Sequence, residues 1–186
     1  MANNANQVRL APRGKVYVGP TGTVLPTNAT MAIDAGFKEL GYIDEQGVSM
    51  TPDVGLKDIM MWQSASAVKT TLDTVKFSIK FNMGQVNFTT WGLYFFNTTV
   101  VNVFGGASLT IPSDPGSQER AAVIEWTDDE EDVSRLVIPT AVLDKRDALK
   151  LVRKDAQILG VELRVLDTSG TLAYIYSDNP DMVPAS

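Results

Sequence analysis

The segment from Thr74 to Phe81 constrains this chain more than any other. Val75, Phe77, Ile79 and Phe81 alternate with Thr74, Lys76, Ser78 and Lys80. Strict period two places the apolar side chains on one face of a strand and the polar ones on the other. Just before it, Val68, Thr70 and Leu72 occupy the even positions, so the apolar phase flips near Asp73. A one-residue slip turns a whole strand over. Two explanations are open: a bulge at Asp73-Thr74, or a strand whose buried face changes as it leaves the core. The second suits a ribbon that extends beyond its own domain and packs on a neighbour.

The remaining segments are mostly strands and turns. Lys15 to Val18 reads as a short strand, Gly19-Pro20-Thr21-Gly22 as a turn, and residues 19–36 as loop. A tight turn is expected at Asp44-Glu45-Gln46-Gly47, and extended chain from Ser49 to Asp53, because Pro52 disfavours helix before it. Leu56, Ile59, Met60 and Trp62 fit neither period, so 44–63 reads as an extended loop ordered by a partner. Asn82 is placed to cap one helix from about Met83 to Phe95, with Phe88, Trp91, Leu93, Tyr94 and Phe95 on its apolar side and Asn97-Thr98-Thr99 at its end. Residues 100–112 give a strand, a Gly-Gly turn and a strand fragment, and 113–119 a loop. Ala121–Trp126 and Val133–Ile138 form a hairpin with an acidic tip. Residues 143–157 read as helix-like or as a polar hairpin. Strands follow around Val161–Val165 and Leu172–Tyr176.

The expectation is a single domain over 1–186, mainly β, a sandwich or distorted barrel with one flanking helix. Residues 1–7 are expected to be a flexible arm and 178–186 a loose Pro-containing tail.

Composition narrows the chemistry. The 186 residues include no His and no Cys. That excludes a Ser–His–Asp triad, a Cys nucleophile, a thiolate or imidazole zinc site and a disulfide framework. The 16 Lys and Arg against 22 Asp and Glu give a net charge of −6. A tight nucleic-acid binder carries the opposite balance. The first residues hold no apolar run of signal-peptide kind, and the longest such stretch, Trp91 to Phe96, is far shorter than the roughly 18 residues of a span. The chain is expected to be made in the cytoplasm, with no membrane span. Asn-x-Ser/Thr triplets at Asn28, Asn87 and Asn97 are then chance matches.

No motif assembles a catalyst. The acidic run Asp128–Asp132, with Glu125, lacks the spacing and central Gly of a calcium loop, and reads as a solvated hairpin tip. Ser66 and Lys69 form a Ser-x-x-Lys, and Ser177-Asp178-Asn179 also occurs, as in penicillin-binding enzymes. Ser66 and Lys69, however, lie in a β-patterned run, and the Lys-Thr-Gly element is missing. Gly19–Gly22 is followed by no Gly-Lys-Ser/Thr, so it is no phosphate loop. No catalytic, metal-binding or cofactor-binding residue is assigned, and no cofactor is expected. Trp91 and Trp126 sit in apolar runs and read as core. Trp62, in Met60-Met61-Trp62-Gln63, is the candidate contact residue, since Trp and Met are enriched where proteins meet.

The succession LGYIDEQGVSMTPD, DIMMWQSASAVKT, TVKFSIKF and an Asn-initiated aromatic segment resembles the tail tube (major tail) proteins of long-tailed bacteriophages, nearest to those of actinobacterial phages. The acidic hairpin and the closing strand–Asp-Thr-Ser-Gly–strand unit are also similar, so the resemblance covers roughly residues 8–177. It implies a structural virion protein without enzymatic activity. Such a subunit forms hexameric rings of its own copies, stacked into a tube around a tape-measure protein. Strands of the six subunits join in an inner barrel, and arms connect rings. Tail terminator and distal tail proteins complete the partners, and DNA passes only in transit through the lumen during genome ejection. The tube would be assembled in the host bacterial cytoplasm and reside in the virion tail. Asp44, Glu45, Met60, Met61, Trp62 and Gln63 are then the inter-subunit contact candidates. Lys76, Ser78 and Lys80 are the lumen-facing candidates, opposite the core face of their strand. An acidic lumen would repel passing DNA. The alternative is a monomeric β-sandwich module of a phage tail that binds carbohydrate or cell wall.

Overall fold

The computed structural model describes residues 7–96, 98–116 and 118–183. The elements in chain order are β1 Arg13–Gly19, β2 Lys38–Glu39, β3 Ile43–Ile59, β4 Lys69–Met83, α1 Phe88–Tyr94, β5 Val101–Val103, β6 Gly106–Ser108, β7 Glu119–Thr127, β8 Val133–Arg146, β9 Leu159–Val165 and β10 Tyr174–Ser177. Residues 1–6 of the expected N-terminal arm, Asn97 at the expected helix end, Ser117 of the 113–119 loop and 184–186 of the tail lie outside the described residues.

One open antiparallel sheet runs β2-β1-β7-β8-β9-β4-β3, while β5 and β6 pair separately. The length of β8 sets the architecture. It pairs with β7 along one edge. Along the other edge β10 covers Ser134–Val137 and β9 takes over from Ala141. The sheet curls until its far members share one core: Val16 of β1, Ile79 and Phe81 of β4, Ile124 of β7, Ile138 of β8 and Leu163 of β9 all belong to it. Trp91 and Trp126 pack against its margin, as expected. A second layer, Phe37, Ala121, Val123 and Val137, lies on the opposite face with Leu25 and Ile33 of the 20–37 loop. Ala121–Ile124 are therefore buried on both sides, which is why they read as an unbroken apolar run.

Arg135 ties the second layer down. It is 4% exposed. Its Nε and Nη2 donate to Glu125 Oε2 at 3.1 and 2.5 Å, and its Nη1 donates to the carbonyls of Asn28 and Met31 at 3.0 and 2.8 Å.

The helix is shorter than expected, and its cap is Asn87 rather than Asn82. Asn87 Oδ1 accepts the N–H of Thr89 and Thr90 at 2.9 and 3.0 Å, and Thr90 Oγ1 accepts the Asn87 N–H at 2.9 Å. Asn82 and Met83 remain strand because the ladder to Gly160 and Leu159 holds them extended and Met83 is fully buried. The chain turns at Gly84, whose N–H donates to Tyr42 O at 2.8 Å. A Cβ on Gly92 would lie 2.5 Å from Thr98 O, so the chain after the helix returns closely over it. Seven residues are too few for a helix to be stable by itself, the limit being about 12–15. Burial of Leu93 and Tyr94 holds it, and Tyr94 Oη donates to Asp147 O at 2.7 Å.

Two further expectations change. Residues 44–63 are not a loop: they are strand as far as Ile59. Val48, Met50, Pro52, Val54 and Leu56 keep period two, and Pro52 is tolerated because β3 is the sheet edge. The expected turn at Asp44–Gly47 is a bulge, with Ile43 opposite Met83 and Val48 already opposite Phe81. Residues 143–157 are not helix. β8 continues to Arg146, since Leu143 belongs to the core, and 147–158 is irregular.

Candidate functional site

β9 accompanies β4 only from Ser78 to Met83. Beyond that point β3 and β4 pair solely with each other, from Pro52 opposite Phe77 to Ile59 opposite Lys69. This two-stranded ribbon projects roughly 25 Å at about 3.3 Å per residue. Residues directly opposite share a face, so Met50 and Ile79, Pro52 and Phe77, Val54 and Val75, and Leu56 and Leu72 form one apolar stripe. It begins in the core and ends in solvent: Ile79 is 0% exposed, Val75 51% and Leu72 62%.

The phase flip foreseen at Asp73 is the bulge, not a change of face. Gly55 lies opposite Thr74 and Leu56 opposite Leu72, so Asp73 is the extra residue. The insertion keeps Leu72 on the face of Val75. A Cβ on Gly55 would meet Thr74 Oγ1 at 2.3 Å, so a larger residue there requires the Thr74 side chain to turn away.

The ribbon ends in a turn that presents Met60, Met61 and Trp62, with Trp62 98% exposed. The turn is closed by Val68 N–H to Ile59 O at 3.0 Å and Ser64 Oγ–H to Ser66 O at 2.9 Å. Ser66 sits in this turn and Lys69 opens β4, so the two are not one helical turn apart. Asp178, from the other piece of that motif, accepts Val133 N–H at 2.6 Å. The acyl-transfer arrangement is therefore not formed.

Met60, Met61, Trp62 and Gln63 come together at the tip, but Asp44 and Glu45 do not join them. Val48 and Met60 are separated by roughly 40 Å of strand at about 3.3 Å per residue. Asp44 instead shapes the base: its Oδ2 accepts Asn82 Nδ2–H at 2.7 Å and its Oδ1 accepts Gln46 N–H at 3.1 Å. The stripe residues Val54, Leu56, Leu72 and Val75 were missed as a surface. Period two from Val48 to Leu56 was the signal that reveals them.

Lys76, Ser78 and Lys80 occupy the opposite, polar face, beside Ser49, Thr51 and Asp53 of β3 and Glu162 and Arg164 of β9. Its charges are mixed. Lys80 Nζ lies 2.9 Å from Asp147 Oδ2, and that contact raises the Lys80 pKa. Lys145 Nζ lies 3.2 Å from Glu162.

The acidic turn is not merely solvated, because Arg9 reaches into it. The guanidinium lies 2.9 Å from Glu130, 3.3 Å from Asp181, 3.8 Å from Asp128 and 4.0 Å from Asp132. Arg13 pairs with Glu131. Asp128 Oδ1 accepts the N–H groups of Glu130 and Asp132, both at 2.9 Å. Desolvation, with Asp128 beside it, holds the Asp132 carboxyl above its ordinary range. No group of three or more carboxylates among the described residues is arranged to hold a metal ion. No helix among them is long and apolar enough to cross a membrane.

The sequence matches the profile of the phage tail tube protein family over residues 1–185. No curated protein matches it. In backbone course it is similar to a chain of the anti-feeding prophage baseplate, solved by cryo-EM with 6-fold symmetrisation. The TM-score is 0.47 and the identity 14%, over 94% of this chain and 97% of that one.

Proposed function

Because the chain belongs to the phage tail tube protein family, we propose that it forms hexameric rings which stack into a tube around a tape-measure protein and conduct the genome during ejection. As a family member it is a structural component of the virion tail, assembling with itself and other tail components. Tail terminator and distal tail proteins would bound the tube, which is built in the host bacterial cytoplasm. We further propose, from the sequence resemblance, that its nearest kin are the tail tube proteins of actinobacterial phages. The chain acts by assembly, not catalysis.

The observation that carries this reading is the β3–β4 ribbon. Isolated two-stranded hairpins are marginal in water, and this one leaves an apolar stripe uncovered within its own subunit. An uncovered stripe of that kind marks a protein contact. A neighbouring copy supplies the cover, with Met60, Met61, Trp62 and Gln63 as the anchoring tip. Lys76, Ser78 and Lys80, on the reverse face, then line the lumen. Mixed charge there offers DNA neither strong attachment nor a uniform barrier.

Sedimentation velocity over a concentration series tests the proposal. The chain should pass from small species to ring-sized and larger ones, and Trp62→Ala should shift that passage to higher concentration. A chain that stays monomeric throughout would instead favour the carbohydrate-binding module, and a glycan screen would follow. Assembly unchanged by Trp62→Ala would remove Trp62 as the anchor.

A further inference from the structure

The two ends of β8 carry opposite charge. At its start, the five acids Asp128 through Asp132 stand with Asp178 and Asp181 around Arg9 and Arg13. Seven carboxylates against two guanidiniums leave a surplus of five negative charges. Asp129, Glu130, Glu131, Asp178 and Asp181 are exposed. At the other end the chain leaves Arg146 for the irregular 147–158 segment, where residues 150–157 are all exposed. Lys150, Arg153 and Lys154 form no ion pair among the described residues, and Asp155 alone offsets them, a surplus of two positive charges. Asp147, at the root of the segment, is already engaged by Lys80.

These ends cannot neutralise each other within one molecule. β8 has 14 residues, a path of up to about 45 Å at ~3.3 Å per residue. The Debye length at physiological salt is about 8 Å. Each end also has exposed apolar residues to bury: Leu10, Met182 and Val183 at the acidic end, Leu151 and Val152 at the basic one. The complement of each surface is therefore present on the same chain, at the far end of the same strand. A contact between unlike patches that does not close on itself generates a filament.

We infer that copies stack head to tail, with the acidic Asp128–Asp132 turn of one seated on the basic 150–155 segment of the next. This rests on the tail-tube reading and names the surfaces that join successive rings. The contact fixes polarity, because acidic against acidic and basic against basic are both repulsive. It also makes tube growth weaken as salt rises.

A charge swap tests it. Asp129→Lys with Glu131→Lys cuts the acidic surplus from five to one and frees Arg13 from Glu131, while Asp128, Glu130, Asp132 and Asp181 stay around Arg9. Arg153→Glu with Lys154→Glu reverses the basic segment. Circular dichroism and the melting midpoint establish that each variant is folded. The first pair should raise the protein needed to form tubes, since little attraction is left, and the second should raise it about tenfold or more, since acid then faces acid. Adding the first pair to the second, in a fourfold variant, should lower the protein needed, although the first pair alone raises it, because it shifts the acidic side of a repulsive contact by four charge units. Variants that polymerise like the wild type overturn the inference while the tail-tube reading stands. A fourfold variant that assembles no better than Arg153→Glu with Lys154→Glu also overturns it. A wild-type chain that forms no polymer overturns the tail-tube reading, and this inference with it.

Discussion

Two arginines do different work in this fold. Arg135 is buried and fixed on all sides, by Glu125 and by the carbonyls of Asn28 and Met31. Removing it strands those two carbonyls and the Glu125 carboxylate. Breaking a buried pair costs about 3–5 kcal/mol, but Glu125 keeps 22% of its side chain exposed. Arg135→Ala should therefore lower stability by about 2–3 kcal/mol, below that range because Glu125 is partly solvated, measured by urea denaturation. A loss under about 0.5 kcal/mol would show that the 20–37 loop is held by Phe37, Leu25 and Ile33 without it. Arg9 instead sits amid carboxylates contributed by residues far along the chain, Asp128 to Asp132 and Asp181. Nothing local to Arg9 announces those partners, so the sequence presented the acidic tip as merely solvated.

At the scale of elements, the β3–β4 ribbon depends on one inserted residue. Inserting one residue after Gly55 gives Asp73 a partner, removes the bulge and turns Leu56, Leu72 and the rest of the distal ribbon over relative to Val54 and Val75. The distal ribbon lies outside the core, so the melting midpoint should change little. Assembly should fail, because the apolar stripe is cut between Val75 and Leu72. An insertion variant that assembles normally would contradict the role given to the stripe. The strand pattern of β4, β7 and β8 was legible because each apolar set faces a buried layer, and period or run length reports that directly. β3 was harder to read. Asp44–Gly47 interrupts its start, Pro52 argues locally against a ladder, and its apolar residues face solvent within one subunit. The helix boundary was misplaced for another reason: Asn82 and Asn87 are both good caps, and only the β9 ladder, a distant partner, decides between them. The tip at Met60–Gln63 was legible from residue types, whereas placing Asp44 and Glu45 with it required that strand to be a loop.

For the molecule as a whole, one curled sheet encloses the core and, among the described residues, leaves three surfaces without partners: the apolar ribbon, the acidic end and the basic segment. A monomer gains nothing by exposing the first and separating the other two. In the proposed tube, a subunit would use the ribbon sideways and the charged ends along the axis. Electron microscopy of the purified, concentrated chain tests this most directly. The account predicts rings with a central hole and six-fold averages, stacked into tubes. Particles the size of a single 20.2 kDa chain at every concentration would contradict it.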